Sequence, residues 1–204
     1  MLPVAVDVTD PDAVARAWAD VRSGLGDVDM VIWCAGVWQR FDALAWDREV
    51  FAEHVQVNLL GLNNLLSVVV PPLVARQHGH VVGVASVAGF RGLPGAEAYG
   101  ATKAAQINLL EALRGAVRGR GVRVTTVCPG FVRTPMTADN TFPMPFMVEP
   151  EDAATAIADG LESGRAVITF PWRMALLMGA ARCLPPRVWT ALTRTRDRRR
   201  SAAS

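Results

Sequence analysis

Five short apolar runs recur along the chain with helix-period segments between them, and this alternation restricts the fold more than any single motif does. The runs are LPVAV at 2–6, VDMVIWCAG at 28–36, HVVGVAS at 80–86, RVTTVCPG at 123–130 and AVITF at 166–170. They are rich in β-branched residues and bounded by Gly, Pro or Asp, the pattern of strands buried on both faces of a parallel sheet. The segments between them predict helices over 11–23, where Pro11 follows the cap residue Asp10, over 47–77, over 98–118, and over 150–163, opened by Pro150. Strand and helix in turn imply an α/β fold, a doubly wound parallel sheet of Rossmann-like form with right-handed crossovers. Ligands of such sheets sit at the carboxyl ends of the strands. No repeat or low-complexity linker divides the sequence, so one domain over 1–204 is expected, with residues from about 172 to 204 as a C-terminal extension.

Few polar residues fall at those strand ends. The chain holds a single tyrosine and a single lysine, although 20 of its 21 basic residues are arginine, and the two stand four positions apart in YGATK, 99–103. Arginine carries surface charge as well as lysine does, so the retained lysine has a task that needs a compact ammonium. Tyr99 starts a helix and Lys103 follows one turn later on the same face, while Ser86 closes the strand at 80–86, so the three converge at one strand end. A phenol with a pKa of about 10 is a poor base near neutrality, and an adjacent ammonium stabilises the phenolate and brings it toward the working range.

With these positions placed, the chain resembles the short-chain dehydrogenase/reductase family. YGATK matches its Tyr-x-x-x-Lys, SVAG at 86–89 its serine segment, and VNLLG at 57–61 the segment of its catalytic asparagine. CAG at 34–36 matches the end of its Asn-Asn-Ala-Gly motif, DVTD at 7–10 its adenine-side aspartate, and PGFVRTPM at 129–136 the segment behind the nicotinamide. The resemblance implies an oxidoreductase moving a hydride between NAD or NADP and an alcohol or ketone. In that scheme Tyr99 is the acid/base, Ser86 holds the substrate oxygen, Lys103 binds the nicotinamide ribose and lowers the tyrosine pKa, and Asn58 steadies a water in a proton relay. Asp7 and Val8 contact the adenine, Ala35 and Gly36 lie along the cofactor, and Pro129, Gly130, Val132 and Thr134 border the nicotinamide, the last two approaching its carboxamide. Homo-oligomers packed through the helices at 47–77 and 99–118 are implied as well.

Two departures from the family pattern matter. Cys34 stands where the family has asparagine, and a buried thiol is expected there. The Gly-rich turn and second strand that the family places ahead of DVTD do not occur in the sequence. The expected sheet is therefore an N-terminally truncated one, missing the first two strands, with 28–36 as a long apolar edge. This keeps open a catalytically inactive fragment or pseudoenzyme, or an interaction protein that uses the edge.

Composition limits the remaining classes. A net charge of +2 with 51% apolar residues suits a soluble globular protein and not a nucleic-acid binder. Cys34, Cys128 and Cys183 are odd in number and widely spaced, which predicts reduced thiols and no metal site. The N-terminus lacks a signal pattern, no uninterrupted apolar run reaches membrane-spanning length, and a cytoplasmic protein is expected. His54, His78 and His80 read as surface or cap residues. In TADNTFPMPFMVEP, 137–150, the side chains of Phe142, Met144, Phe146 and Met147 predict an apolar lid. Beyond residue 170, Trp172, Met174, Leu176, Leu177 and Trp189 precede the basic RTRDRRR. This tail either covers the pocket, the favoured reading, or meets an anionic membrane surface. Lid and tail together point to a lipophilic alcohol or ketone.

Overall fold

The computed structural model describes residues 2–193. Helix α1 (Pro11–Leu25) starts where Asp10, in extended backbone, accepts from the N–H groups of Asp12 and Ala13, and it ends at Gly26. Strand β1 (Met30–Trp33) follows. Asp47 caps the next helix in the same way as Asp10, and a single rod then runs through α2 (Arg48–His54), a π-turn (Val55–Leu60) and α3 (Gly61–Ala75). The sequence continues through β2 (Gly79–Val84), a 3₁₀ turn (Val87–Gly89), α4 (Glu97–Ala116), β3 (Val122–Pro129), the short α5 (Pro135–Ala138), α6 (Pro150–Glu162), β4 (Val167–Phe170), α7 (Trp172–Cys183) and α8 (Pro186–Leu192).

The four strands form a parallel sheet in the order β1-β2-β3-β4, with Ile32 beside Val82 and Val81 beside Val124. Alternation along each strand sends its residues to opposite layers. Val81, Val122 and Val124 pack against Leu62, Leu66, Val69 and Leu73 of α3 and Leu110 of α4. Val82, Val127 and Ile168 face the other way, against Ala153 of α6. A third cluster at the carboxyl end joins Ala85, Val87 and Cys128 to Met174 and Met178 of α7.

Two features differ from the sequence expectation. LPVAV at 2–6 is not a strand. An extended segment becomes a strand only by pairing, and among the described residues no strand pairs with it; its Val4 and Val6 instead line an apolar groove with Trp18, Trp33 and Leu65. The rod Arg48–Ala75 is, at 28 residues, long and apolar enough by length and composition to cross a membrane. Leu62, Leu66, Val69 and Leu73 on its inward face join the main core, while only 28% of its most apolar window is buried. The exposed edge is present in β1, where Met30 is 39% and Ile32 47% exposed. Ile32 shares its layer with Val82, but the cluster that packs α6 on that layer reaches β2 and leaves Ile32 outside it.

Candidate active site

The carboxyl ends of β1, β2 and β3 bring the segments 34–36, 84–86 and 129–130 to one end of the sheet, and α4 lays its first two turns across them. Ser86, 9% exposed, caps the 3₁₀ turn, its Oγ accepting from Ala88 N–H at 3.1 Å. Tyr99 lies half-buried on α4 with Trp38 edge-on at 5.2 Å and His54 at 6.5 Å between ring centroids. Burial pushes the Tyr99 phenol above its ordinary value, and a hydrogen bond with Ser86 pulls it the other way. Desolvation is the larger of the two effects, so the phenol is raised.

Lys103 is 4% exposed. Its Nζ donates to the Val84 carbonyl at 2.9 Å and to Gln106 Oε1 at 3.1 Å, and it stands 5.5 Å from the Tyr99 ring centroid. Burial lowers its pKa to about 8, against the pull of the Cys128 and Cys34 sulfurs. Cys128 is buried and its thiol is pushed up to about 12 by desolvation. Cys34 is exposed, contrary to the buried thiol expected, because the edge of β1 is bare where it ends; partial burial still raises its pKa.

Asn58 is fully buried within the π-turn. Its Oδ1 accepts from Val37 N–H at 2.7 Å, and its Nδ2 donates to the Val37 carbonyl at 3.1 Å and to Thr102 Oγ1 at 3.1 Å. This amide clamp holds the strand-end segment 35–38 against the helices. A Cβ on Gly36 would meet Asn58 Oδ1 at 3.2 Å and Lys103 Nζ at 3.6 Å, so a hydrogen there leaves an open cradle bounded by polar groups.

The other positions named from the sequence are distributed around this centre. Ala35 is half-buried against the main core. Pro129 ends β3 and Gly130 follows it; Gly130 N–H donates to the Phe170 carbonyl at 2.7 Å, and a Cβ there would stand 2.9 Å from Met174 Cγ. Val132 forms an isolated parallel bridge with Val148, and Thr134 N–H donates to Thr137 Oγ1 at 3.1 Å. Asp7 is exposed, its carboxylate lowered in pKa by hydrogen bonds from Thr9, and the Val8 carbonyl accepts from Asn64 Nδ2 at 3.0 Å. Asp7 and Val8 form no hydrogen bond with Ser86, Tyr99 or Lys103 among the described residues.

The lid and tail are partly as expected. Trp38 Nε1 donates to Asn140 Oδ1 at 2.9 Å and its ring lies 6.2 Å from Phe142, which ties the segment after α5 to Tyr99. Phe146 instead turns outward, 41% exposed, under the Arg173 guanidinium. Met174 and Met178 close the wall behind β3, and Trp189 Nε1 donates to the Gly92 carbonyl at 2.7 Å. Trp172, Leu176 and Leu177 face solvent at 66%, 65% and 53% exposure. RTRDRRR at 194–200 lies outside the described residues.

Two histidines expected at the surface are buried. His54 is inaccessible, accepting from Gln39 N–H at Nε2 and bonding the Val50 carbonyl through Nδ1 at 2.7 Å. His80, 3% exposed, bonds Thr125 Oγ1 at 2.9 Å and has its pKa lowered by burial. Both are polar residues on inward faces that find a local partner. His54 precedes Asn58 and Leu62 at helical spacing, a stripe in which its burial was readable. Gln106 was missed for the same reason: it continues the α4 stripe of Tyr99, Lys103 and Leu110.

Comparison with known proteins gives the same picture. A family model described as short chain dehydrogenase matches residues 1–143. An uncharacterized oxidoreductase of Myxococcus xanthus is 41% identical over 194 residues, 94% of this chain and 76% of the relative. Oxidoreductase UcpA of Escherichia coli K12 is 33% identical over 163 residues, 79% of this chain and 62% of the relative, so the chain spans less than two thirds of that protein. The crystal structure of a short chain dehydrogenase from Burkholderia cenocepacia in complex with NADP superposes with a TM-score of 0.80 at 26% identity, covering 95% of this chain and 81% of the other.

Proposed function

Since the chain belongs to the short-chain dehydrogenase/reductase family, we propose that it catalyses hydride transfer between NAD or NADP and a lipophilic alcohol or ketone. The observation that carries this reading is the joining of Ser86, Tyr99 and Lys103 at one strand end, with Ser86 capping the turn after β2 and the Lys103 ammonium 5.5 Å from the centre of the Tyr99 ring. The cradle at Gly36, bounded by Asn58 Oδ1 and Lys103 Nζ, fits the ribose hydroxyls of a nicotinamide nucleotide, with Ala35 on one side and Pro129, Gly130, Val132 and Thr134 on the other. Asp7 and Val8 are assigned to the adenine end. When bound, the nucleotide supplies or accepts the hydride.

The protein's own work is proton transfer and orientation. Ser86 Oγ holds the substrate oxygen next to the phenol. Tyr99 gives its proton to that oxygen during reduction and removes it during oxidation, a role that requires the phenolate to be reachable. Lys103 supplies the positive charge that makes it so once a ligand excludes water and fixes the ammonium. Asn58 keeps the segment 35–38 in place, so that the cradle holds its width. The wall of Phe142, Met174 and Met178 supports an apolar substrate.

The partner assignments follow from the surface. We place the protein in the cytoplasm as a homo-oligomer packed through α2–α3 and α4. The inner face of α7 covers the site, and its outer face, with Trp172, Leu176 and Leu177, is assigned to contact with anionic lipid. The charge distribution supports this: residues 171–204 hold eight of the 21 basic side chains and one of the 19 acidic, leaving +7 there and −5 in residues 1–170. A competing reading, a protein without turnover that binds a partner along β1, draws on the exposed Met30 and Ile32.

The deciding experiment is titration with NADH and NADPH, followed by thermal stability and tryptophan fluorescence, and then turnover on medium-chain ketones. Saturable stabilisation by either nucleotide and turnover abolished in Tyr99→Phe are expected. A folded sample that ignores both nucleotides favours the partner-binding reading.

A further inference from the structure

We infer that Gln106 is a positioning residue for this chemistry: its side-chain amide ties the Lys103 ammonium to the backbone carbonyl of Asn58 and leaves one ammonium hydrogen for the reacting groups. The inference rests on the reading of Tyr99 and Lys103 given above.

Gln106 is fully buried, a costly place for an amide that lacks partners. Both ends are satisfied. Oε1 accepts from Lys103 Nζ at 3.1 Å, and Nε2 donates to the Asn58 carbonyl at 2.5 Å. A carbonyl only accepts and an ammonium only donates, so the amide has one workable orientation. Asn58 sits in the π-turn, where the helix widens to bonds five residues apart, such as that from Gly61 N–H to the Gln56 carbonyl. Gln106 thus joins α4 to the widened turn and, on the same amide, holds the one lysine of the chain.

The count of hydrogens gives the consequence. An ammonium has three donors. One goes to the Val84 carbonyl and one to Gln106, and both acceptors are held by secondary structure. The third remains for the side on which Gly36 and Tyr99 lie. The titratable groups facing Nζ are Tyr99 from its own helix, Cys34 from the end of β1 and Cys128 from β3, and no carboxylate is among the polar partners. A neutral amide therefore orients the ammonium without pairing its charge. A carboxylate at 106 would hold the proton on Lys103 more tightly, and an apolar residue would strand it.

The single lysine makes a direct test possible. Full-length protein grown with ¹³C-lysine yields one lysine side-chain signal set, and its pH titration reads the charge on Lys103 without any need for activity. Gln106→Leu is expected to lower the midpoint by about one pH unit, roughly a tenfold loss of proton affinity, and Gln106→Glu to raise it by a similar amount. The pH profile of kcat/KM should move in the same directions. Gln106→Met, closer in length, replaces the leucine variant if that one fails to fold. Midpoints unmoved in folded variants would overturn the inference, whether or not the protein turns over. Moved midpoints in a protein without turnover would uphold the bridge and sink the catalytic reading instead.

Discussion

Replacing Lys103 with methionine should make the protein more stable near neutral pH while destroying its activity. The pKa of Lys103 falls from 10.5 to about 8 in the fold because burial disfavours its charge. At about 1.4 kcal/mol for each pH unit, keeping the ammonium inside the fold costs roughly 3 kcal/mol. Methionine escapes this cost but leaves Val84 O and Gln106 Oε1 without a donor, a loss of about 1–2 kcal/mol. The variant should therefore be about 1–2 kcal/mol more stable at pH 7. Because the folded pKa lies below the unfolded one, the unfolded chain binds more protons between about pH 8 and 10.5. Wild-type stability consequently rises with pH across that window, and the cost is fully present below it. Between pH 7 and about 9.5 the wild type should gain roughly 2 kcal/mol on the variant. Cys128, pushed up to about 12, has the opposite sign and erodes stability above its unfolded value, but it does so in both proteins and cancels in the difference. Urea melts followed by the fluorescence of the six tryptophans at the two pH values provide the measurement. A difference that stays flat between them, or a wild type already the more stable at pH 7, would refute the reasoning.

Tyr99→Phe should retain nucleotide binding and lose turnover by at least about 100-fold, read from kcat with KM for the nucleotide unchanged. Asn58→Ala removes three hydrogen bonds made by a buried amide and should cost about 2–4 kcal/mol in chemical denaturation, with a weaker hold on nucleotide. Vesicles containing anionic lipid should retain the protein and purely zwitterionic ones should not, and Leu176→Glu should abolish retention with the melting temperature unchanged; equal retention by both vesicle types would remove the lipid assignment. Under native alkylation resolved by mass spectrometry, Cys183, exposed on α7, should react before Cys34, whose thiol burial holds protonated, and buried Cys128 should react last.

Much of this arrangement was legible in the sequence because strand ends and helix starts carry local signals. The cap residue Asp10, the β-branched runs and the Tyr99–Lys103 spacing each act over a few residues, and the structure forms helices and strands at the corresponding places. LPVAV misled because its residues suit a strand while pairing depends on a distant neighbour, which no local pattern encodes. His54 and His80 misled because burial of a polar ring is decided by the partners it finds, Val50 and Gln39 in one case and Thr125 in the other. Gln106 was visible as a polar residue on an apolar stripe, but one of its two partners, the Asn58 carbonyl, comes from the π-turn, and only the folded chain brings it within reach.

The solitary lysine has a consequence for covalent chemistry. With Lys103 at 4% exposure, the folded surface offers succinimidyl esters, aldehydes and lysine-modifying enzymes no side-chain amine. Acylation at that residue then requires the site to open, so its rate under excess reagent counts opening events, and a ligand that seals the cradle should slow the reaction in proportion to its occupancy.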